Sequence, residues 1–215
     1  MTSVGATMRY LMQNDLRPYC LVENDLIETD FGGVDRKDPN CVLVGLAPSK
    51  FSYDKLNEAF RLLAKLKKGE EEAQQHSEGQ RIENNSKPHI IAIHRATHYR
   101  DSDHELSLGP GGFISLLEQT TGYTAHVIGK PSRNFYQSAL SSLGIENPSC
   151  AVVVGDDVVG DIQGALDAGL GGAILVKTGK YVSGDELGHK TGGVVPTLVV
   201  DSIVEAVDYI CSSLE

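Results

Sequence analysis

Apolar positions along this chain recur at two spacings, three to four residues and unbroken short runs, and the switches between them mark out its elements. Residues 4 to 13 carry Val4, Met8, Leu11 and Met12 at helical spacing, and Arg17-Pro18 ends that helix because the residue before a proline is held out of the α region. Two short strands follow, YCLVEN and Cys41 to Leu46, with a polar turn around Asp30 to Gly33 between them. After Pro48, SYDKLNEAFRLLAKL opens on Ser52 as an N-cap and places Leu56, Ala59, Phe60, Leu63 and Leu66 on one face, the clearest helix in the chain. From Lys67 to Lys87 there is almost no apolar residue and no period. That stretch predicts a disordered loop insertion, since it cannot bury enough surface to offset its conformational entropy.

Alternation resumes with the strand HIIAIH and is interrupted by the exposed-looking RATHYRDSDHELSLGPGG. A short helix, Phe113 to Gln119, and the strand TAHVIG come next. Residues 134 to 143 form an amphipathic helix with Phe135, Ala139, Leu140 and Leu143 turned inward. The strands Ala151 to Val154, GGAILVKTG and TLVVDS follow, and a last helix runs from Ile203 to Ile210. Strand and helix alternating from about His126 onward predict a parallel sheet. The chain therefore divides into an α/β module over residues 1–125 and a second α/β domain over 126–215.

The second domain holds the densest chemistry, in CAVVVGDDVVGDIQGALDAG. A β-branched run ends at Gly155, three carboxylates follow at Asp156, Asp157 and Asp161, and helical spacing begins from Asp161 with Ile162, Ala165, Leu166 and Ala168 on one side. Ligands of parallel sheets bind at the carboxyl ends of strands, which is where these acids fall. Carboxylates this close raise one another's pKa unless a cation compensates, and a hard ion such as Mg2+ held by oxygen ligands would do so. The bland alternative makes Asp161 a helix cap and the other two solvated turn residues. Lys130, in the loop Gly129-Lys130-Pro131 after an earlier strand, would add an ammonium to the same pocket. That pairing suits stabilisation of a phosphoryl group in transfer.

Composition narrows the field. The formal charge is −10 and no lysine-arginine cluster could track a phosphate backbone, which argues against nucleic acid as a partner. No apolar run approaches the length of a membrane span, and MTSVGATMRYL lacks the basic and apolar regions of a signal peptide, so a cytoplasmic protein with no membrane partner is expected. Cys20, Cys41, Cys150 and Cys211 are widely spaced and form no CxxC pair, which suits four reduced thiols.

Taken together, GKPSRNFYQSAL, VVVGDDVVGDIQGALDAGL and AILVKTGKY resemble the third and fourth motifs of the haloacid dehalogenase (HAD) superfamily, in subfamily IIA, whose large cap is inserted ahead of the lysine motif. DPNCVLVGLAPSKFSYDKLNEAFRLL and HYRDSDHELSLGPGGF resemble that cap. The resemblance implies a partial HAD-type, Rossmann-like parallel-sheet core with a large α/β cap of the C2 type. It also implies a magnesium-dependent phosphatase of a small phosphorylated substrate, working through an aspartyl-phosphate. On this likeness Lys130 holds the phosphate, Asp156 is a metal ligand, Asp161 orients the metal's waters, and Asp157 sits at a variable position of the metal motif. The cap would choose the substrate through His98, Tyr99, Arg100 and the loop carrying Gly109 and Gly111, and a homodimer through the cap would suit such a family.

The departure from the pattern concerns the nucleophile, which the family carries in a DxD motif directly after its first, central strand. The sole DxD here, Asp101-Ser102-Asp103, lies in a polar stretch with no strand leading into it and reads as a surface turn. A chain cut short of that motif is expected to show no turnover and to leave the strand at Ala151 to Val154 with an unpaired edge. Three other readings compete. One is a non-catalytic binding module derived from such a phosphatase. Another is a metal site at His94, His98 and His104. The third is a nucleotide site at GKP or KTGK, although neither matches a phosphate-loop signature.

Overall fold

Cys41, Val42, Leu43 and Val44 are all completely buried, which four successive residues of a strand achieve only when both faces of their sheet are covered. The computed structural model describes residues 2–75, 87–103 and 105–213. It divides into two compact units, Thr2–Gly129 and the residues from Lys130 onward.

In the first unit, strands β1 (Pro18–Leu21), β2 (Cys41–Val44), β3 (Ile90–Ala92) and β6 (His126–Val127) pair in that order, all parallel. Alternate residues feed two cores. Cys41, Leu43 and Ile91 face a cluster with Ala6 and Leu11 of α1 (Ser3–Gln13), with Leu26 and Ile27 of α2 (Asn24–Thr29) packed against it. Val42, Val44, Ile90 and Ala92 face Ala59 and Leu63 of α3 (Tyr53–Gln75) and Ile114 and Leu117 of α4 (Gly111–Thr121). Between β3 and α4 the chain makes an antiparallel hairpin of β4 (His98–Arg100) and β5 (Leu106–Leu108), within the stretch that reads only as exposed in sequence. Because β6 pairs with β3, residues 126–129 belong to this unit, and the chain passes into the next at Lys130.

Helix α3 corrects one expectation. It does not stop where the polar stretch begins but continues through Lys67 to Gln75. Lys, Glu, Ala and Gln are all good helix formers, and the polar turns are anchored. Lys67 Nζ donates to Thr121 O at 2.6 Å, Glu70 meets His89 Nε2 at 2.8 Å and the Tyr123 hydroxyl at 2.7 Å, and Lys68 pairs with Glu72 one turn on. Residues 76–86 of the expected loop lie outside the described residues.

In the second unit, β7 (Val152–Gly155), β8 (Gly172–Val176) and β9 (Leu198–Val200) form a parallel sheet with β8 in the middle and wholly buried. One face packs on α5 (Arg133–Ser142), a π-helical turn at Val158–Gln163 and α6 (Gly164–Asp167), through Tyr136, Leu140, Val158, Ile162 and Ala165. The other face packs on α7 (Ile203–Ser212) through Ala206 and Ile210. Among the described residues β7 pairs only with β8, and Val152 at its start is 47% exposed.

Candidate functional site

Strand β7 ends at Gly155 and delivers three carboxylates in the next six residues. Asp157, not Asp161, caps the helical turn. Its Oδ1 accepts from the N–H groups of Val159 (3.2 Å) and Gly160 (2.8 Å), which would otherwise be orphaned at the start of the turn. Asp161 lies one turn further on, where its side chain folds back beneath the strand end and is 6% exposed. Its Oδ2 accepts from the Asp157 N–H at 3.2 Å and its Oδ1 from Lys130 Nζ at 2.6 Å. The Tyr136 hydroxyl ties the same turn down by donating to Gly160 O at 2.5 Å.

Glycines make this geometry possible. A β-carbon on Gly155 would lie 2.3 Å from Asp161 Oδ2, and one on Gly164 would lie 2.9 Å from Pro131, whose neighbour Lys130 carries the ammonium. The loop holding Lys130 is thereby set against the turn holding Asp161.

The structure adds a residue that the sequence reading passed over. Lys180, just after β8, donates from its backbone N–H to Asp156 Oδ2 at 2.9 Å and from Nζ to Asp157 Oδ2 at 2.9 Å. Its sequence signal is the stretch AILVKTGKY, which carries the family resemblance without singling out this lysine. Burial pushes the Asp157 carboxyl up, but the capping amides and the Lys180 ammonium outweigh it and hold the group below its usual range. The hydrogen bond to Asp157 raises Lys180 in turn. Burial raises the Tyr136 phenol, and the nearby Asp161 and Asp157 charges raise it further.

Lys130, Asp156, Asp157 and Asp161 are thus gathered in one unit. Among the described residues no three His, Cys, Asp or Glu side chains converge as a metal cage. Mg2+ does not require one. It binds through one or two carboxylates, several waters and substrate phosphate oxygens. Asp156 suits that role, since its Oδ2 accepts one backbone N–H and its Oδ1 has no hydrogen-bond partner among the described residues.

The other residues singled out by sequence lie together in the first unit. His98 is exposed at the start of β4 and meets Thr97 Oγ1 at 3.0 Å, and Arg100 ends the same strand. Tyr99, half-buried, donates to Asp101 Oδ2 at 3.0 Å. Gly109 and Gly111 are buried, and a β-carbon on either would strike the backbone of residues 95–96, at 2.2 Å from Ala96 O and 2.8 Å from Arg95 O. Packing alone accounts for glycine there. Asp101 and Asp103 form the turn of the β4–β5 hairpin, and their carboxylates accept from the Ser102 and Glu105 N–H groups. His94 and His98 join no metal-holding group among the described residues, and His104 lies outside them.

A family model described as HAD-hydrolase-like matches residues 127–206. Over 213 residues, 99% of this chain and 71% of the relative, the chain is 40% identical to haloacid dehalogenase-like hydrolase domain-containing protein 2 of Pongo abelii. The chain belongs to the haloacid dehalogenase-like hydrolase family. Within the HAD family it is also similar to the phospholysine phosphohistidine inorganic pyrophosphate phosphatase of Xenopus laevis, at 38% identity over 97% of this chain and 67% of that protein. The solved 4-nitrophenylphosphatase of Thermotoga maritima shares the fold, with a TM-score of 0.74 and 21% identity over 97% of this chain and 71% of that one. The fold is accordingly that of a HAD phosphatase with a cap domain, and the acidic turn after β7 lies within the stretch that the HAD family model matches.

Proposed function

We propose that this protein carries the phosphate-holding and metal-holding half of a magnesium-dependent phosphohydrolase acting on small phosphorylated substrates. The observation that carries the reading is the Lys130–Asp161 pair, an ammonium 2.6 Å from a nearly buried carboxylate beside the acidic turn. Asp161 fixes the position of Lys130 Nζ, whose remaining N–H groups point a charge-assisted donor at a phosphoryl oxygen. Asp156 supplies the carboxylate oxygen for Mg2+, and Asp161 and Asp157 shape the turn around it. When bound, the cation neutralises phosphoryl oxygens as negative charge shifts toward the leaving group. Choice of substrate falls to His98, Tyr99 and Arg100.

The family's reaction passes the phosphoryl group to an aspartate in a strand-following DxD. Within these 215 residues the sole DxD is the hairpin turn at Asp101, whose carboxylate is occupied by Ser102, Tyr99 and Ser107. These 215 residues therefore bind phosphate and turn nothing over.

The test combines calorimetry with inorganic phosphate in Mg2+ and hydrolysis of para-nitrophenyl phosphate. Binding that weakens about tenfold in Lys130→Met, with no hydrolysis, is expected. Absence of phosphate binding would overturn the half-site. Magnesium-dependent hydrolysis lost in Asp156→Ala would overturn the claim of no turnover. If a chain extended upstream by a strand ending in DxD also fails to hydrolyse the ester, the second reading, a non-catalytic binding module, takes over.

A further inference from the structure

Three carboxylates and two lysines meet at the end of β7, and the pairing between them is not symmetrical. Asp161 gives one oxygen to Lys130 and the other to the Asp157 N–H. Asp157 gives one oxygen to the Val159 and Gly160 amides and the other to Lys180 Nζ. Asp156 alone keeps an oxygen without a hydrogen-bond partner among the described residues, and its other oxygen is held by the Lys180 N–H. One residue thus reaches two neighbouring carboxylates, by backbone and by side chain. That reach depends on Gly179, which takes φ +50° and whose missing β-carbon would otherwise fall 1.8 Å from Asp156 Oδ2.

We propose that Lys180 is a positioning residue of the phosphate site, acting through Asp157 and Asp156 to hold the acidic turn in the shape that leaves Lys130 and Asp156 to the phosphate and its cation. This rests on the reading under Proposed function. Without the Lys180 ammonium, Asp157 would face two other carboxylates with nothing to balance its outer oxygen. It would then compete for Lys130 or turn away from the amides it caps. Lys180 itself touches neither phosphate nor cation in this scheme, and its side chain is 66% exposed.

The experiment measures inorganic phosphate binding in Mg2+ by calorimetry for the unaltered chain, Lys180→Met, Lys180→Arg, Asp157→Ala and the Lys180→Met/Asp157→Ala pair. Amide hydrogen exchange at Val159 and Gly160 is read in parallel. Lys180→Met and Asp157→Ala are each expected to weaken phosphate about tenfold, the pair no more than either alone, because both remove the same link. Lys180→Arg restores binding to within about twofold, since a guanidinium can still reach the carboxylate. Asp157→Ala tightening phosphate while Lys180→Met weakens it would mean that Lys180 contacts the anion directly, and additive losses would mean two independent roles. Either overturns the proposal. Should the unaltered chain bind no phosphate, the reading under Proposed function fails, and the exchange data still decide the structural claim. Faster exchange at Val159 and Gly160 in Lys180→Met upholds it, and unchanged exchange sinks it.

Discussion

The β-carbon that Gly155 lacks would stand 2.3 Å from Asp161 Oδ2 and 2.5 Å from Asp161 Cβ. Gly155 is in ordinary extended backbone at the end of β7, so what requires glycine there is space for the folded-back carboxylate and not a left-handed turn. Gly155→Ala must therefore push Asp161 away from Lys130 or bend the strand. An overpacking cost of about 1–3 kcal/mol is expected from the denaturation midpoint, together with loss of phosphate binding. Gly169→Ala is the comparison. Gly169 has φ +88° with nothing within 4 Å of its would-be β-carbon, so it should cost about 1 kcal/mol of backbone strain and leave binding intact. Equal loss of binding in both variants would show that the space under Gly155 is irrelevant to the site.

The acidic turn is legible in sequence because everything that makes it is local: a β-branched run, a glycine and three aspartates within a turn and a half. What escapes the sequence is contributed from a distance. Lys180 meets Asp157 across 23 positions, and the meeting depends on the parallel register of β7 with β8. Helix α3 outlasts its apolar stripe because Glu70 is held by His89 and Tyr123, 19 and 53 residues away. Asp157 and Asp161 are both plausible caps by residue type. Only the backbone at Asp157, extended at φ −101°, ψ 104°, decides between them. The β4–β5 hairpin is hidden by its brevity, since two strands of three residues give too few alternations to show a period.

His126 offers a test of burial. Its ring stacks on Tyr10 at 4.7 Å, and its Nε2 is buried without a hydrogen-bond partner among the described residues. Burial holds its pKa below the ordinary 6.5. The unfolded chain then binds the proton more readily than the folded one, so stability is full above about pH 6.5 and falls as the pH drops below it. His126→Phe keeps the stacked ring and removes the orphaned nitrogen. It is expected to gain about 1–2 kcal/mol, more at pH 5.5 than at pH 8, in urea denaturation at the two pH values. A gain that does not depend on pH would leave burial of the imidazole out of account.

Among the described residues strand β7 has one partner, and Val152 at its start is 47% exposed. An edge of β-branched residues without charge is a template for pairing with another chain. Val152→Lys places a charge at the exposed start of that strand and should reduce light scattering during slow heating. Its unfolding free energy should stay within about 0.5 kcal/mol of the original. Val153→Lys is the opposite case, because Val153 packs against the core cluster that holds Ile162 and Leu175, and it should destabilise the fold outright. If Val152→Lys aggregates as readily as the unaltered chain, the edge of β7 is not where association begins.

The polar half of α3 depends on Glu70. Burial raises this carboxyl, but the Tyr123 hydroxyl and His89 outweigh it and hold the group below the ordinary 4.5. A depressed carboxylate contributes stability that is present above its unfolded pKa and is lost as the pH falls through the folded one, so the Glu70 contribution fades in acid. Glu70→Ala removes the acceptor for both partners at once, and leaving a half-buried hydroxyl and ring N–H unpaired costs about 1–3 kcal/mol. Because the turns around Lys67 to Gln75 have no apolar stripe of their own, the loss should be local. Amide exchange is expected to accelerate from about Lys67 onward while the amides around Ala59 and Leu63, packed on the sheet, keep their protection. Uniform acceleration along α3 would show instead that the helix stands or falls as one unit, with Glu70 contributing to its whole length.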